Sequence, residues 1–95
     1  MGQDKETYSL KYHRLVPNDL AALDSFWQEQ ILVAIEDKLV MHPDLFGKPL
    51  RQSLKGCRSL RVGDYRVVFQ IQKKAVQVVA IIHRSTDYKG IEKRI

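Results

Sequence analysis

The sequence predicts an α+β domain in which two helices pack on one face of a mostly antiparallel four-stranded sheet. Three observations indicate this fold: an alternating segment near the N-terminus, apolar residues at helical spacing over 20–39, and three strand-like runs after residue 57. The element order is therefore β-α-α-β-β-β, with a short C-terminal helix or tail. Because the helices are consecutive, they should cover one face and leave the other to polar side chains. We expect one domain over 1–95, with a single core.

The N-terminal half carries the first strand and both helices. Residues 8–14 alternate apolar and polar side chains, which is typical of a strand with one buried face. A helix start is then predicted by Pro17 and the cap-type residues Asn18 and Asp19. Apolar residues at steps of three and four form one buried stripe along the helices. Ser25 and Gln28 have the spacing of a capping box. We therefore expect helices over 18–24 and 25–41, or one bent helix through both.

The C-terminal half is dominated by strands. A long connection over 44–57, punctuated by glycine and proline, leads to three predicted strands, at 58–62, 64–72 and 75–83. The last strand is apolar on both faces, so it should be central in the sheet. Lys73 and Lys74 form the tip of the hairpin before it. Residues 85–95 are polar and basic, which predicts a short helix or a tail.

Charge is distributed unevenly along the chain. The net charge is +5, but residues 1–47 carry four Lys/Arg and eight Asp/Glu, which gives −4, while residues 48–95 carry twelve and three, which gives +9. The basic half is the half that holds the three consecutive strands. Such an asymmetry indicates a surface for a polyanion: nucleic acid, a ribosome or an acidic protein. A solvated basic face without a ligand is the alternative.

Several classes of protein are disfavoured by the composition. Cys57 is the single cysteine, so an internal disulfide and paired-cysteine metal motifs are excluded, and a reducing cytoplasm is favoured. The longest apolar run is five residues, far short of the roughly twenty that a membrane span needs. Residues 1–8 are polar and charged, which is unlike a signal peptide. The histidines are too scattered to indicate a metal site. We therefore expect no metal, no cofactor and no membrane association.

Arginines on adjacent strands are the strongest indication of a ligand. Arg61 and Arg66 flank the Gly63 turn and face away from the apolar residues beside them. Because guanidinium forks match phosphate oxygens, the predicted ligand is a phosphodiester. His83 and Arg84 end the last strand and should be delivered to the same face. The alternative is that these arginines pair with carboxylates or contact an acidic partner protein.

The residues above carry a resemblance to the RelE/ParE toxin superfamily of bacterial type II toxin–antitoxin systems. The chain resembles it in the strand-turn-strand of residues 60–67, in His83-Arg84, in Tyr88 four residues later, and in Leu54-Lys55-Gly56. The resemblance implies one of two activities. RelE-like members cut messenger RNA in the ribosomal A site, whereas ParE-like members poison DNA gyrase and are not nucleases. Both act in the bacterial cytoplasm and are silenced by a small cognate antitoxin.

In the RelE-like branch, which the sequence favours, the resemblance implies a metal-independent messenger-RNA endoribonuclease. Its candidate catalytic residues would be Arg61, Arg66, Arg84, Tyr88 and His83. Three groups compete for the role of general base: Tyr88 is favoured, His83 is second because imidazole titrates near neutral pH, and Lys55 is third.

Contacts to RNA and ribosomal phosphates are assigned to the remaining cations, Lys48, Arg51, Lys55, Arg58, Lys73 and Lys74. Two positions depart from the family pattern and bear on the efficiency of cleavage: Ser59, where a basic residue is common, and Asp87, where an aliphatic residue is common. The alternative function is a ParE-like, non-enzymatic gyrase inhibitor, or a degenerate toxin that binds only its antitoxin.

Overall fold

The fold places two helices against a five-stranded sheet. The computed structural model describes residues 7–95. Its main elements are β1 Ser9–Tyr12, α1 Val16–Ala21, α2 Ser25–Ala34, β2 Lys48–Pro49, β3 Cys57–Val62, β4 Tyr65–Gln72 and β5 Ala75–His83. A π-helical turn at Ile35–Leu39 and two 3₁₀ turns, at Gln52–Leu54 and Ile91–Arg94, complete it. Most of the polar N-terminal segment interpreted above as unlike a signal peptide lies outside the described residues.

Strands follow the order β1-β5-β4-β3-β2 across the sheet. β1 runs parallel to β5 and the other three pairings are antiparallel, so the predicted mostly antiparallel sheet is confirmed. β5 has neighbours on both sides, as its two apolar faces predicted. The fifth strand was not predicted. β2 is only two residues long and includes Pro49, so it has no alternation that a sequence pattern could detect.

The break between the helices is confirmed, but its cap is one residue earlier than predicted. Asp24 is the N-cap of α2, and its Oδ1 accepts a hydrogen bond from the Trp27 N–H at 3.1 Å. The Gln28 side chain donates instead to the Leu23 carbonyl at 2.8 Å. The regular helix also ends at Ala34 rather than near residue 41, because the chain widens there into the π-helical turn.

A first core lies between the helices and the sheet. It contains ten buried side chains: Val16, Ile31, Ile35, Leu39, Leu60, Val67, Phe69, Val76, Val78 and Ile81. Leu23 and Tyr65 pack at its margin, and Trp27 contacts Tyr65 with a ring-centroid distance of 5.4 Å. Both helices therefore lie on one face of the sheet, as predicted.

A second core covers part of the opposite face, so the prediction that this face stays uncovered is wrong. Leu54 and Ile91, one from each 3₁₀ turn, pack on Cys57, Val68, Val79 and Ala80. The physical reason is that both central strands are apolar on both faces: Val68 alternates away from the helices in β4, and a β-bulge opposite it places the consecutive Val79 and Ala80 of β5 on that same face. Those side chains need a cover, which the two turns supply.

Cys57 belongs to this second core and is 1% exposed. Burial raises the pKa of its thiol, and a smaller opposing effect comes from a hydrogen bond with the Gln70 side chain. The thiol is therefore neutral at physiological pH and is an apolar packing group rather than a nucleophile. None of the helices within residues 7–95 combines the length and the apolar character needed to cross a membrane.

Candidate active site

An open pocket of about 500 Å³ lies where β2, β3, the start of β4 and the C-terminal tail meet. It is lined by Gly47, Lys48, Pro49, Leu50, Ser59, Leu60, Arg61, Arg66 and Tyr88. Three of the predicted catalytic residues, Arg61, Arg66 and Tyr88, are thus brought together. Lys48, a predicted RNA contact, joins them from β2. The second core stops short of this end of the sheet, so the pocket stays open to solvent.

Arg61 and Arg66 lie directly opposite each other in the β3–β4 ladder. The tight turn between the strands depends on Gly63, whose φ is +58° and where a Cβ would overlap the Trp27 ring. Within residues 7–95, neither guanidinium has a carboxylate within ion-pairing distance. Like charges directly opposite in a sheet are destabilising. This arrangement is therefore suited to an anion that bridges the two guanidinium groups.

Tyr88 brings a hydroxyl group to the arginine pair. Arg66 Nη1 donates to the Tyr88 hydroxyl oxygen at 3.3 Å, and the ring packs at the margin of the second core. The phenol is thus held by its ring while its oxygen faces the pocket. A hydroxyl in this position can donate to, or accept from, a ligand that the arginines hold.

Arg84 lies at the Gly63–Asp64 turn, outside the pocket lining. Its backbone N–H donates to the Asp64 carbonyl at 2.7 Å, and its Nε lies 3.7 Å from Asp64 Oδ1. Both side chains are more than half exposed, so this ion pair contributes about 0–1 kcal/mol. Such a pair is easily exchanged for a phosphate on an incoming ligand.

His83 faces the helices, so the prediction that β5 delivers it to the arginine face is wrong. It is the cross-strand partner of Tyr65, and the two rings meet edge to face at 5.3 Å. Tyr65 belongs to the helix side of the sheet, and its neighbour Arg66 projects to the other side. His83 Nδ1 also accepts the Ser85 N–H at 3.1 Å. An imidazole placed there cannot act as a base on a ligand held by Arg66.

Arg58 also lies outside the site, and we assign it a structural role in place of the predicted RNA contact. Its Nη2 donates to the carbonyls of Asp44 and Gly47, at 3.1 and 3.2 Å. It sits opposite Phe69, on the helix side of the sheet. The guanidinium therefore holds the loop that leads into β2. It stabilises one wall of the pocket from the helix side of the sheet.

The remaining predicted RNA contacts are dispersed. Arg51 and Lys55 are exposed at the two ends of the first 3₁₀ turn and do not line the pocket. Lys73 lies seven residues beyond Arg66, which is about 23 Å along a strand. Lys74 at the same tip lies over the Tyr8 ring, 5.7 Å from its centroid. These cations form a diffuse basic surface and are not part of one cluster.

Ser59 is a pocket residue that the sequence interpretation treated only as a departure from the family pattern. It precedes Arg61 by two residues on the same strand and lines the pocket with it. The two-residue period would have found it. In the described part of the chain, no three His, Cys, Asp or Glu side chains are grouped as metal ligands would be.

Similarity to other proteins places this chain in a known family. Residues 10–88 match the family described as the ParE toxin of the type II toxin–antitoxin system, parDE. The chain belongs to the RelE/ParE toxin superfamily, and the resemblance drawn from its sequence is confirmed. It is a toxin of a toxin–antitoxin system.

Relatives found by sequence and by structure support this family assignment. Toxin RelG of Mycobacterium tuberculosis is 35% identical over 79 residues, which cover 81% of this chain and 82% of that protein. Toxin RelE of the same organism is 43% identical over 53 residues, but the match spans only 54% of this chain and 55% of that toxin. The toxin–antitoxin complex RelBE2 from M. tuberculosis contains a chain with a TM-score of 0.79 and 25% identity, with 90% of this chain and 100% of that chain covered.

Proposed function

We propose that this toxin is a metal-independent endoribonuclease that cuts messenger RNA on the ribosome. The observation that carries the proposal is the pair of opposed guanidinium groups, Arg61 and Arg66, with the Tyr88 hydroxyl bonded to one of them and no carboxylate among the described residues to neutralise either. This is an anion site with a hydroxyl group beside it. A scissile phosphodiester supplies both the anion and a neighbouring group that can lose a proton.

The reaction proposed is attack of a ribose 2′-hydroxyl on the adjacent phosphorus. A bond forms from O2′ to phosphorus as the 2′-hydroxyl loses its proton, the bond to O5′ breaks, and the departing O5′ takes a proton from the solvent. The products end in a 2′,3′-cyclic phosphate and a 5′-hydroxyl. Arg61 and Arg66 would stabilise the charge that grows on the non-bridging oxygens, and such electrostatic stabilisation usually accelerates the reaction more than any other single effect. Tyr88 would take or relay the 2′-hydroxyl proton, a role that typically contributes about a hundred- to ten-thousand-fold.

The openness of the pocket supports dependence on the ribosome. In-line placement of the 2′-oxygen is a large part of the barrier, and a shallow site cannot hold a flexible strand by itself. A messenger RNA already fixed in the decoding centre would arrive with its backbone ordered. Lys48 beside the pocket, with the dispersed cations Arg51, Lys55 and Lys73, would meet ribosomal phosphates without sequence specificity.

We also propose a cognate antitoxin as the physiological partner in the bacterial cytoplasm, since the RelBE2 relative is a toxin–antitoxin complex. An acidic segment that covers Arg61 and Arg66 would neutralise the pair and block the pocket together.

A ParE-like, non-enzymatic inhibitor of DNA gyrase is the second candidate. Two observations favour it: the matching family is described as a ParE toxin, and Arg84 lies at the exposed turn rather than in the pocket. In that case the arginine pair would bind an acidic protein surface in place of a phosphodiester.

Expression of the toxin in bacteria separates the two candidates. We expect primer extension to map new 5′ ends inside translated reading frames, and we expect those ends to vanish from a matched transcript whose start codon has been destroyed. Purified gyrase should keep its supercoiling activity in the presence of the toxin. Intact messenger RNA together with double-strand DNA breaks and inhibited supercoiling would contradict the proposal and establish the gyrase inhibitor.

A further inference from the structure

An ion pair joins the C-terminal tail to the first helix. Arg94 Nη1 lies 2.7 Å from Asp19 Oδ2, and Nη2 lies 3.1 Å from Asp19 Oδ1. Both side chains are less than one-fifth exposed. A two-pronged arginine–carboxylate contact with little access to water is among the strongest polar contacts that a small domain can make.

The same two side chains also bond to the backbone of β5. Arg94 Nη1 donates to the Val79 carbonyl at 3.1 Å, and Asp19 Oδ2 accepts the Ile81 N–H at 3.0 Å. β1 pairs with β5 only as far as Val78, so these groups belong to the part of β5 that β1 does not reach. The Asp19–Arg94 pair therefore seats the end of the tail at a fixed place on the sheet.

A short segment of the tail connects the Asp19–Arg94 pair to the pocket. Ile91 is 7% exposed and packs in the second core, and its N–H donates to the Tyr88 carbonyl at 3.0 Å. Tyr88 lies six residues before Arg94, and its hydroxyl has one side-chain contact among the described residues, to Arg66. The position of the phenol therefore depends on the packing of its ring at the second core and on how the tail that carries it is fastened.

We propose that Asp19 and Arg94 are positioning residues that hold the Tyr88 hydroxyl at Arg66. Neither touches the pocket, so neither is a catalytic residue. The expected effect of the Asp19–Arg94 pair on rate rests on the proposed function, RNA cleavage. The expected effect of the pair on the position of Tyr88 rests on the geometry alone. Its consequence is that release of the tail at its far end lowers the rate of the chemical step while the arginine pair stays in place.

The test uses the full chain with Arg94→Ala and the milder Arg94→Lys, each alone and combined with Tyr88→Phe. Lys93→Ala is the matched control, because it removes the same charge from the same 3₁₀ turn at an exposed position. Two quantities are measured: the single-turnover rate and KM for RNA cleavage on ribosomes, and the ¹³Cζ signal of Tyr88, assigned by its loss in Tyr88→Phe.

We expect Arg94→Ala to move the Tyr88 signal towards that of a solvent-exposed tyrosine and to lower the cleavage rate on the order of a hundredfold, with KM unchanged. Arg94→Lys should lie between Arg94→Ala and wild type, and Lys93→Ala should match wild type. In the Tyr88→Phe background, Arg94→Ala should cause no further loss of rate.

Two results would overturn the inference: a Tyr88 signal that stays at its wild-type position in Arg94→Ala, or losses from Arg94→Ala and Tyr88→Phe that multiply. If the wild-type protein cuts no RNA, the proposed function fails, but the Tyr88 signal still decides whether the pair positions the phenol.

Discussion

Replacement of Arg66 by alanine should abolish growth arrest and lower RNA cleavage by about a hundred- to a thousand-fold, the loss typical when one preorganised charge-stabilising donor is removed. Arg66 contributes twice, because it faces Arg61 across the ladder and donates to the Tyr88 hydroxyl. Arg66→Lys should recover only part of the rate, because lysine keeps the charge but cannot contact a phosphate and a phenol with one planar fork. Toxicity in cells and single-turnover cleavage on ribosomes check both variants.

The matched control for Arg66→Ala is Lys11→Ala. It removes the same charge from an exposed position on β1, at the opposite edge of the sheet from β2. We expect it to keep full toxicity. Equal losses from the two variants would mean that the net charge of the protein, and not the arginine pair, supports the activity.

Phe69→Ala should destabilise the fold by about 3–5 kcal/mol, the usual cost of a large aromatic ring deleted from a packed core. Phe69 is fully buried in the first core, and its ring lies against the backbone at Gly47, next to the pocket residue Lys48. Small domains have a total stability of about 5–15 kcal/mol, so this variant should lose a large part of it. Urea denaturation followed by the fluorescence of Trp27 measures the change.

Phe26→Ala is the control for that loss, because it deletes the same ring from a side chain that is 58% exposed. Loss of its edge-to-face contact with Trp27 should lower the free energy of unfolding by about 0.5–1.5 kcal/mol. If Phe26→Ala were as costly as Phe69→Ala, the assignment of the first core as the main source of stability would be wrong.

Alternation along the strands predicted the arginine pair correctly because nothing interrupts the register there. Val62 pairs with Tyr65 across a two-residue turn, and Arg61 therefore pairs with Arg66. Each arginine lies between two apolar residues in its strand. Because successive side chains point to opposite faces, the sequence alone predicted that both arginines face away from the first core.

The same reasoning failed for His83, because the bulge between Val68 and Phe69 changes the register beyond it. Val79 and Ala80 both join the second core, although they are consecutive in the strand. In a run where every residue is apolar, no local pattern marks the position of a bulge. The alternation pattern therefore could not predict on which face of the sheet His83 lies.

Long-range partners were also missed. Asp19 was interpreted as a cap-type residue at a helix start and Arg94 as part of a basic tail, yet they meet across 75 residues of sequence. Patterns of period two or 3.6 report which face a residue is on, and they do not report which distant residue it meets. The residues that fasten the C-terminal tail could be found only in the folded chain.

The most direct test of the central claim is single-turnover cleavage of a messenger RNA held in the A site of purified ribosomes by an excess of the wild-type toxin. We predict one cut in the A-site codon, a 5′-hydroxyl on the downstream fragment, and no cut in the same RNA without ribosomes. An A-site messenger RNA that stays intact, with a preparation of toxin that still arrests growth, would contradict the account.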